Sequence, residues 1–308
     1  MSKRLAIGID LGGTNIRGAL VTKDGEIVCK RKEPTSKEIL KSIFGIIDGL
    51  FSGDIAGIGL GVAGLVDRKG GRVAVSPNIP SVEKVNLVKG IIEKFNVPVF
   101  IENDANAAAL GETWVGAGKG FSNFVLFTLG TGIGGGIIQG KKLLRVAAEV
   151  GHMTINMNGG KCHCGNSGCL ESYASARAII SKTLSALEKG RESMLRQFHG
   201  GKIHDLTPED IYRVALEGDN LAREVFKEAG RCLGIGIANI INIMSPEAVI
   251  LSGGLSKAWD IYIQEAIKEA SRRSFKELFG TVKIIPSLFG DDAGIIGSAG
   301  LVFQSDDK

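Results

Sequence analysis

The feature of this sequence that most restricts its fold is a set of glycine-rich turns at the ends of apolar, strand-like segments. Glycine accounts for 44 of the 308 residues, about twice the usual share, and it follows no collagen-like period. The first turn, Gly12-Gly13-Thr14, separates two such segments, and the second, 130–136, separates two more. Because glycine lets backbone N–H groups approach an anion closely, both turns predict phosphate-binding sites.

The two turns occupy equivalent positions in a repeated pattern. Leu11-Gly12 corresponds to Leu129-Gly130, and Ala19-Leu20 corresponds to Ile137-Ile138, at one constant offset along the chain. Each repeat opens a half of the chain in which strands and helices follow one another, which is typical of an α/β layer. The sequence therefore predicts an α/β fold with two α/β domains around a cleft.

A restart of the pattern near 116–120 sets the predicted domain boundary. We expect a small α/β domain of residues 1–115, joined by a C-terminal helix at 292–308. We expect the second, large α/β domain to span residues 116–291 and to carry a metal loop at 152–169.

The second turn contains a misleading motif. Gly130-Thr131-Gly132-Ile133-Gly134-Gly135 satisfies the GxGxxG fingerprint of dinucleotide-binding folds. That fingerprint must open a helix, so that the pyrophosphate meets the helix N-terminus. Here the strand-like Ile137-Ile138-Gln139 follows, and we therefore reject the dinucleotide-binding interpretation. A third glycine pair, Gly253-Gly254, ends a strand and precedes a helix, a position that suits a nucleotide base or ribose.

Asp10 stands just before the first glycine turn, where its carboxylate can hold Mg²⁺ directly or through water. Thr14 adds a hydroxyl donor for a phosphate oxygen. The alternative is a tight hairpin with an exposed aspartate, and the residues of this turn alone leave both interpretations open. Three glycine turns at strand ends favour a nucleotide held in a cleft.

Three of the five cysteines crowd together at Cys162, Cys164 and Cys169, and His152 precedes them. Three thiolates and one imidazole form a closed tetrahedral set for Zn²⁺ with no open position, which indicates a structural metal. His163 is a competing ligand, and the alternative is a group of free thiols with an unrelated histidine.

A second polar cluster, Glu102-Asn103-Asp104-Ala105-Asn106, stands where a buried strand meets a helix. Ligands of open α/β sheets collect at such strand ends. The N-terminus of a helix keeps a carboxylate ionised, so Asp104 can accept a proton at neutral pH. The alternative is that Asn103 or Asp104 only caps the helix.

Other polar side chains flank the metal loop. Glu149, His152 and Glu171 stand beside it, and Asn78 lies on a separate turn. A substrate with several hydroxyl groups would use such acceptors.

Charge and hydropathy exclude several classes of partner. The formal net charge is +4, and the basic residues form no concentrated stripe of the kind that nucleic-acid binders show. No signal peptide and no run of about eighteen apolar residues is present. We therefore expect a cytoplasmic protein with no nucleic-acid and no membrane partner. Cys29 and Cys232 stand among apolar residues, and we expect both in the core.

Taken together, these motifs resemble the ROK family of sugar kinases and sugar-responsive repressors, in the actin-like ATPase superfamily. The matching segments follow the family order and cover nearly the whole chain: 10–14, 102–107, 130–136, 151–152 with 162–171, and 252–254. The resemblance implies an actin-like ATPase (ribonuclease H-like) fold, with ATP, Mg²⁺ and a structural Zn²⁺ as cofactors.

The resemblance also implies a role for each matching residue. Asp104 would take the proton from a sugar hydroxyl as that hydroxyl attacks the γ-phosphate of ATP. The other sugar contacts would be Gly64, Asn78, Asn103, Glu149, His152 and Glu171. The ATP contacts would be Asp10, Gly12, Gly13, Thr14, Asn15, Thr131, Gly132, Gly134, Gly135, Gly253 and Gly254. The zinc ligands would be His152, Cys162, Cys164 and Cys169.

These roles predict an ATP-dependent sugar kinase that phosphorylates a hexose hydroxyl, with glucose to glucose 6-phosphate as the first expectation. N-acetylmannosamine and N-acetylglucosamine kinases share nearly all of the motifs and remain alternatives. Repressors of the family carry a helix-turn-helix ahead of the phosphate motif. Only nine residues precede Asp10, so we expect a kinase and not a repressor. We also expect a homodimer or a higher homo-oligomer.

Overall fold

A computed structural model describes residues 5–51, 53–76 and 79–304. The contacts within the chain divide it into two units. The first contains residues 1–126, 136–148 and 287–308, and the second contains residues 127–135 and 149–286. The domain boundary predicted near residue 116 stays a prediction.

The first unit is built on a five-stranded sheet. Its strands are β1 (Leu5–Leu11), β2 (Asn15–Thr22), β3 (Ile27–Pro34), β4 (Ile58–Val62) and β7 (Val99–Asn103), in the order β3-β2-β1-β4-β7. The first three strands form an antiparallel meander, and β4 and β7 continue the sheet in parallel. A separate hairpin consists of β5 (Leu65–Asp67) and β6 (Arg72–Val75). The helices are α1 (Ile39–Leu50), α2 (Leu87–Phe95), α3 (Asp104–Trp114) and α10 (Ala293–Gln304).

Strand β1 contributes to two buried clusters because its side chains alternate between the faces of the sheet. Ile7 and Ile9 belong to a cluster that includes Ile43 of α1. Ala6 belongs to a second cluster that includes Ile295 of α10. The meander and the helices that follow it therefore arise from the apolar alternation and the helical spacing of the sequence.

The structure differs from the sequence-based expectation at the edge of this sheet. The prediction that Cys29 lies in the core is wrong, because its side chain is exposed. Cys29 lies on β3, the edge strand, and most residues of that strand face solvent. Cys232, on α7 (Asn220–Met244), is half-buried. The hairpin of β5 and β6 was not predicted.

A second sheet has the strand order β10-β9-β8-β11-β12. Its strands are β8 (Phe124–Leu129), β9 (Ile133–Gln139), β10 (Lys142–Leu143), β11 (Ala248–Ser252) and β12 (Lys283–Pro286). The remaining helices are α4 (Glu171–Ala174), α5 (Ala176–Glu188), α6 (Pro208–Glu217), α7, α8 (Gln264–Arg273) and α9 (Lys276–Phe279). Over the described residues, every helix is too short or too polar to cross a membrane.

Candidate active site

The first glycine turn joins β1 to β2 and is braced by Thr35. The Thr35 backbone N–H donates to the carbonyl oxygen of Thr14 over 3.0 Å, and the Thr35 hydroxyl donates to that of Gly12 over 2.8 Å. Gly13 and Thr14 stay exposed. Asn15 is the first residue of β2, and its carbonyl oxygen accepts from the Gly12 N–H over 3.1 Å. The turn therefore presents exposed backbone on a braced hairpin.

Asp10 forms an ion pair with Arg17, its register partner on β2. Only 14% of the Asp10 side chain is accessible, and its carboxylate lies against Gly294 in the first turn of α10. The N-terminus of a helix favours a negative charge. Arg17 and the N-terminus of α10 thus place positive charge beside the Asp10 carboxylate at the base of the first turn.

The second glycine turn is shorter than the sequence suggested. Strand β9 begins at Ile133, so the turn is limited to residues 130–132, and the prediction that Gly134 and Gly135 belong to it is wrong. The Gly134 N–H donates to the Thr128 hydroxyl over 3.1 Å. Gly253 lies against the carbonyl oxygen of Leu129 at the end of β8, which brings the third glycine pair beside this turn.

The Glu171 carboxylate contacts the second glycine turn. Its Oε2 accepts a hydrogen bond from the Ile133 N–H over 2.8 Å. A methyl group on Gly132 would lie 2.4 Å from the same oxygen, so a larger residue here would displace the Glu171 carboxylate from the turn. One of the predicted sugar ligands therefore contacts a predicted phosphate-binding turn.

The corner between β7 and α3 holds Asn103 and Asp104. The Asn103 Oδ1 accepts from the backbone N–H groups of Ala105 and Asn106 over 3.0 and 3.1 Å, so Asn103 caps the helix. Its Nδ2 donates to the Gly64 carbonyl oxygen over 3.1 Å. Asp104 is the first residue of α3, and its Oδ1 accepts from the Ala105 N–H over 2.9 Å. Capping therefore orients Asn103 and leaves the Asp104 carboxylate at the positive end of the helix.

The three clustered cysteines and His152 come together as the spacing predicted. Their ligand atoms all lie within 4.8 Å of one another. The Cys164 and Cys169 sulfurs are 3.7 Å apart, and the Cys162 sulfur is 3.8 Å from the His152 Nδ1. A tetrahedral Zn²⁺ with Zn–S bonds of about 2.3 Å separates its sulfurs by about 3.8 Å, so this set fits the metal.

The thiols of this cluster differ in acidity. Burial alone would raise the pKa of Cys162, but hydrogen bonds from the Cys164 N–H and from Ser172 outweigh it and lower that pKa to about 7. Burial and the neighbouring thiols raise the pKa of Cys169. The cluster can therefore present a thiolate at neutral pH, the form that binds a metal.

The two ring nitrogens of His152 face different groups. Nδ1 faces the Cys162 sulfur, and Nε2 lies 3.8 Å from the Glu149 Oε2. Although 41% of the Glu149 side chain is accessible, the protein packed around its carboxyl raises the pKa of Glu149. The charge of Glu171 adds to that rise, and His152 opposes it. His152 can thus bind a metal on one side and a polar ligand on the other.

A match to a family model covers residues 6–305 and carries the description ROK family. The chain belongs to the ROK family. This confirms the resemblance found in the sequence, and with it the α/β actin-like ATPase fold.

Members of the ROK family similar to this chain have different functions. A glucokinase from Halalkalibacterium halodurans is 36% identical over 324 residues, which span 100% of this chain and 98% of the relative. A xylose repressor from Caldicellulosiruptor bescii is 36% identical over 313 residues, 97% of this chain and 78% of the repressor. The crystal structure of a ROK glucokinase from Streptomyces griseus in complex with glucose and AMPPNP has a TM-score of 0.86 and 34% identity, and covers 97% of this chain and 99% of that one.

The second unit of this ROK protein also contains a cavity that the sequence-based reasoning missed. It has a volume of about 600 Å³ and begins at Thr131 of the second turn. One face of α5 lines most of it, and the lining residues are Thr131, Ala176, Arg177, Ile180, Ser181, Leu184, Ser185, Glu188, His204 and Pro208. The spacing of Arg177, Ser181 and Leu184 along α5 was the available signal, but it resembles any amphipathic helix.

One predicted site residue, Asn78, lies outside the residues that the structure describes.

Proposed function

We propose that this ROK protein is an ATP-dependent sugar kinase that transfers the γ-phosphoryl group of ATP to a hydroxyl of a hexose, and that its first substrate is glucose. The observation that carries the proposal is the β7–α3 corner, where Asn103 caps the helix and Asp104 stands at its N-terminus. Glucokinases among the similar proteins, one of them bound to glucose and AMPPNP, support this assignment.

In this proposal Asp104 is the general base. The sugar hydroxyl transfers its proton to the Asp104 carboxylate while its oxygen forms a bond to the γ-phosphorus. The bond from that phosphorus to the bridging oxygen breaks, and ADP leaves with the bond's electron pair. Enzymatic phosphoryl transfer depends mainly on positioning and on charge stabilisation, and the N-terminus of α3 favours the negative charge of the Asp104 carboxylate.

The nucleotide would use both glycine turns and the cavity on α5. The exposed backbone at Gly13 and Thr14, and the turn at 130–132, would donate N–H groups to the phosphates. Asp10 would hold Mg²⁺, which when bound supplies positive charge at the phosphates. The base and ribose would occupy the cavity that begins at Thr131, and the Gly253-Gly254 pair would lie beside the turn. Gly134 and Gly135 remain predicted contacts within β9.

The hydroxyl groups of the sugar other than the reacting one would be held by Glu149, His152 and Glu171. Further contacts would come from Asn103, Asn78 and the Gly64 backbone. A bound Zn²⁺ supplies a structural crosslink between His152 and the three cysteines. It would fix the ring of His152, so that Nε2 points at a constant position. The metal would thus shape the sugar site without reacting.

Two alternatives stay within the same site. N-acetylmannosamine or N-acetylglucosamine would replace glucose if the site accepts a 2-acetamido group. The similarity to a xylose repressor favours, as a second function, a sugar-sensing regulator that binds the sugar without phosphorylating it. The predicted homo-oligomer stays a prediction.

An ADP-release assay tests the proposal. Purified protein is incubated with Mg-ATP and with glucose, mannose, fructose, N-acetylglucosamine or N-acetylmannosamine in turn. We expect sugar-dependent ADP formation that is fastest with glucose. Sugar binding by calorimetry without ADP formation from any sugar would overturn the kinase assignment and favour the regulator.

The Asp104→Asn variant tests the assigned base. Positioned general bases contribute about 10²- to 10⁴-fold to rate, so we expect kcat to fall by at least about a hundredfold with the fold retained. Asp48→Asn is the matched control, since Asp48 is an exposed carboxylate on α1 that pairs with Lys94. Equal activity in the two variants would remove Asp104 as the base.

A further inference from the structure

A partly buried ion pair between Arg68 and Glu102 lies directly behind the Asn103–Asp104 corner. Glu102, near the end of β7, is only 3% exposed. The Arg68 guanidinium binds its carboxylate in a bidentate manner, with Nε 2.5 Å from Oε2 and Nη2 2.6 Å from Oε1. Arginine suits this role because its planar donor fork matches the geometry of a carboxylate.

The Glu102 carboxylate also accepts hydrogen bonds from residues on both sides of Asp104. The Glu102 Oε1 accepts from the Asn103 backbone N–H over 2.8 Å and from the Asn106 side-chain amide over 3.1 Å. Asn103 precedes Asp104 in the chain, and Asn106 lies in the first turn of α3 after it. The orientation of Glu102 therefore determines the positions of the residues that flank Asp104.

Arg68 belongs to a different part of the fold. It follows β5 in the hairpin of β5 and β6, whose first residue comes directly after Gly64. The Gly64 carbonyl oxygen accepts from the Asn103 side chain. The hairpin is thus attached to the corner at two points, through Arg68 and through Gly64.

We propose that Arg68 and Glu102 form a positioning pair. The pair fixes the Asn103–Asp104 corner and the hairpin of β5 and β6 in the geometry needed for proton transfer. The role in catalysis rests on the proposed function. Neither residue is assigned to the substrate: they act through Asn103 and Asn106. Without Arg68, Glu102 would be a buried carboxylate with only neutral donors, and it would turn towards solvent. That movement would remove the acceptor that orients the corner.

Kinetics of four variants test the pair. Displacing a catalytic group by about 1 Å can cost about 10²-fold in rate, so we expect Arg68→Gln and Glu102→Gln each to lower kcat by about 10- to 100-fold. The KM for ATP should stay within about twofold, since neither residue lies in a nucleotide turn. Arg68→Lys keeps the charge but loses the fork, and it should recover part of the loss. The double variant should lose no more than either single variant, because the two residues act as a unit.

Arg72→Gln is the matched control on the same hairpin. Arg72 pairs with Asp67 over 3.4 Å, and 62% of its side chain is accessible, so we expect wild-type kinetics. Wild-type kcat in Arg68→Gln, or equal losses in Arg68→Gln and Arg72→Gln, would overturn the positioning role.

Amide hydrogen exchange keeps this test separate from the kinase assignment. We expect faster exchange of the backbone amides of residues 103–106 in Arg68→Gln and not in Arg72→Gln. Unchanged exchange in Arg68→Gln overturns the pair whether or not the protein is a kinase. If the wild-type protein forms no ADP with any sugar while Arg68→Gln still accelerates this exchange, the proposed function fails and the structural coupling stands.

Discussion

The Glu171 carboxylate accepts a hydrogen bond of 2.8 Å from the Ile133 backbone N–H. Ile133 begins β9 directly after the second glycine turn, and Glu171 begins α4 just after Cys169, a predicted metal ligand. The bond therefore connects a predicted phosphate-binding turn to the end of the metal loop, and one side chain serves two predicted binding regions.

Two variants of Glu171 separate these roles. Glutamine keeps an acceptor for the Ile133 N–H but removes the charge, whereas alanine removes both. A hydrogen bond to a charged group contributes about 1.5–3 kcal/mol, or roughly 10- to 100-fold in affinity. We expect Glu171→Gln to raise the KM for the sugar at least about tenfold and to leave the KM for ATP near its wild-type value. We expect Glu171→Ala to raise both, as measured by steady-state kinetics with each substrate varied.

Glu192→Ala serves as the control, because Glu192 is exposed and takes no part in either turn. An unchanged KM for ATP in Glu171→Ala would show that the bond to Ile133 does not organise the turn for nucleotide binding.

The first sheet and the helices packed on it were predictable because apolar residues recur in their sequences at regular spacing. Ile39, Ile43 and Ile46 recur at helical spacing, and α1 includes all three. Other features depend on contacts that no local pattern contains. Cys29 stands in an apolar-looking segment, yet the strand order places that segment at the sheet edge and exposes the thiol.

The predicted length of the second turn was wrong for a similar reason. Three consecutive glycines have little intrinsic preference for a strand, which favoured a long turn. In the structure a side chain at Gly136 would lie 2.6 Å from the Ala109 methyl group of α3. The close approach of a helix, and not flexibility, therefore accounts for that glycine, and β9 begins four residues earlier than the sequence indicated.

In the candidate site, too, some residues could be predicted from the sequence and others could not. Three cysteines within a short loop limit the possible geometry so strongly that their assembly with His152 could be predicted. Strand β6 and helix α2 lie between Arg68 and Glu102 in the chain, and nothing in either local sequence indicates their pairing. Binding residues within one loop were accessible to sequence reasoning, and supporting residues from distant segments were not.

Loss of the metal provides a second prediction. Structural zinc sites contribute directly to folding stability. We expect the purified protein to contain about one zinc per chain by mass spectrometry of metals. Treatment with a strong chelator should lower the melting temperature and raise the KM for the sugar, because His152 loses its fixed orientation, while the KM for ATP changes less.

Two cysteine variants provide the control for this prediction. Cys164→Ser removes a proposed ligand and should reproduce the effect of the chelator. Cys29→Ser removes an exposed thiol on β3, outside the cluster, and should keep full zinc content. Equal zinc content in the two variants would rule out the proposed ligand set.

The cavity on α5 yields a third prediction. Ser181 lines the cavity and is exposed to it, so Ser181→Trp would fill part of the volume of about 600 Å³. We expect the KM for ATP to rise by about tenfold or more, because a bulky side chain in a binding pocket excludes ligand atoms. A tenfold loss of affinity corresponds to about 1.4 kcal/mol. The KM for the sugar should not change.

Lys189→Trp places the same side chain just past the end of α5 on an exposed position and should behave as wild type. If Ser181→Trp keeps the wild-type KM for ATP, the nucleotide base does not occupy this cavity and must bind elsewhere.

The last prediction concerns stability and rests on Glu112. Its side chain on α3 is fully buried, with 0% exposure. The carboxylate accepts from the Ala117 N–H over 2.6 Å and from the N–H groups of Leu288 and Phe289, each over 3.3 Å, and the Ser287 hydroxyl also donates to it. One side chain thus joins α3 to the segment that follows it and to the segment that leads into α10.

Replacing Glu112 by alanine would leave these donors without their acceptor. Hydrogen bonds to charged groups contribute about 1.5–3 kcal/mol each, so we expect Glu112→Ala to lower the free energy of unfolding by about 3 kcal/mol or more, measured by urea denaturation. Glu217→Ala, at an exposed position of α6, should change it by less than about 0.5 kcal/mol. Glutamine at position 112 retains one acceptor oxygen but turns an N–H₂ group towards N–H donors, so it should recover only part of the loss. Equal stability of Glu112→Ala and Glu217→Ala would mean that water or a rearranged loop satisfies the donors, and that Glu112 does not hold the two segments together.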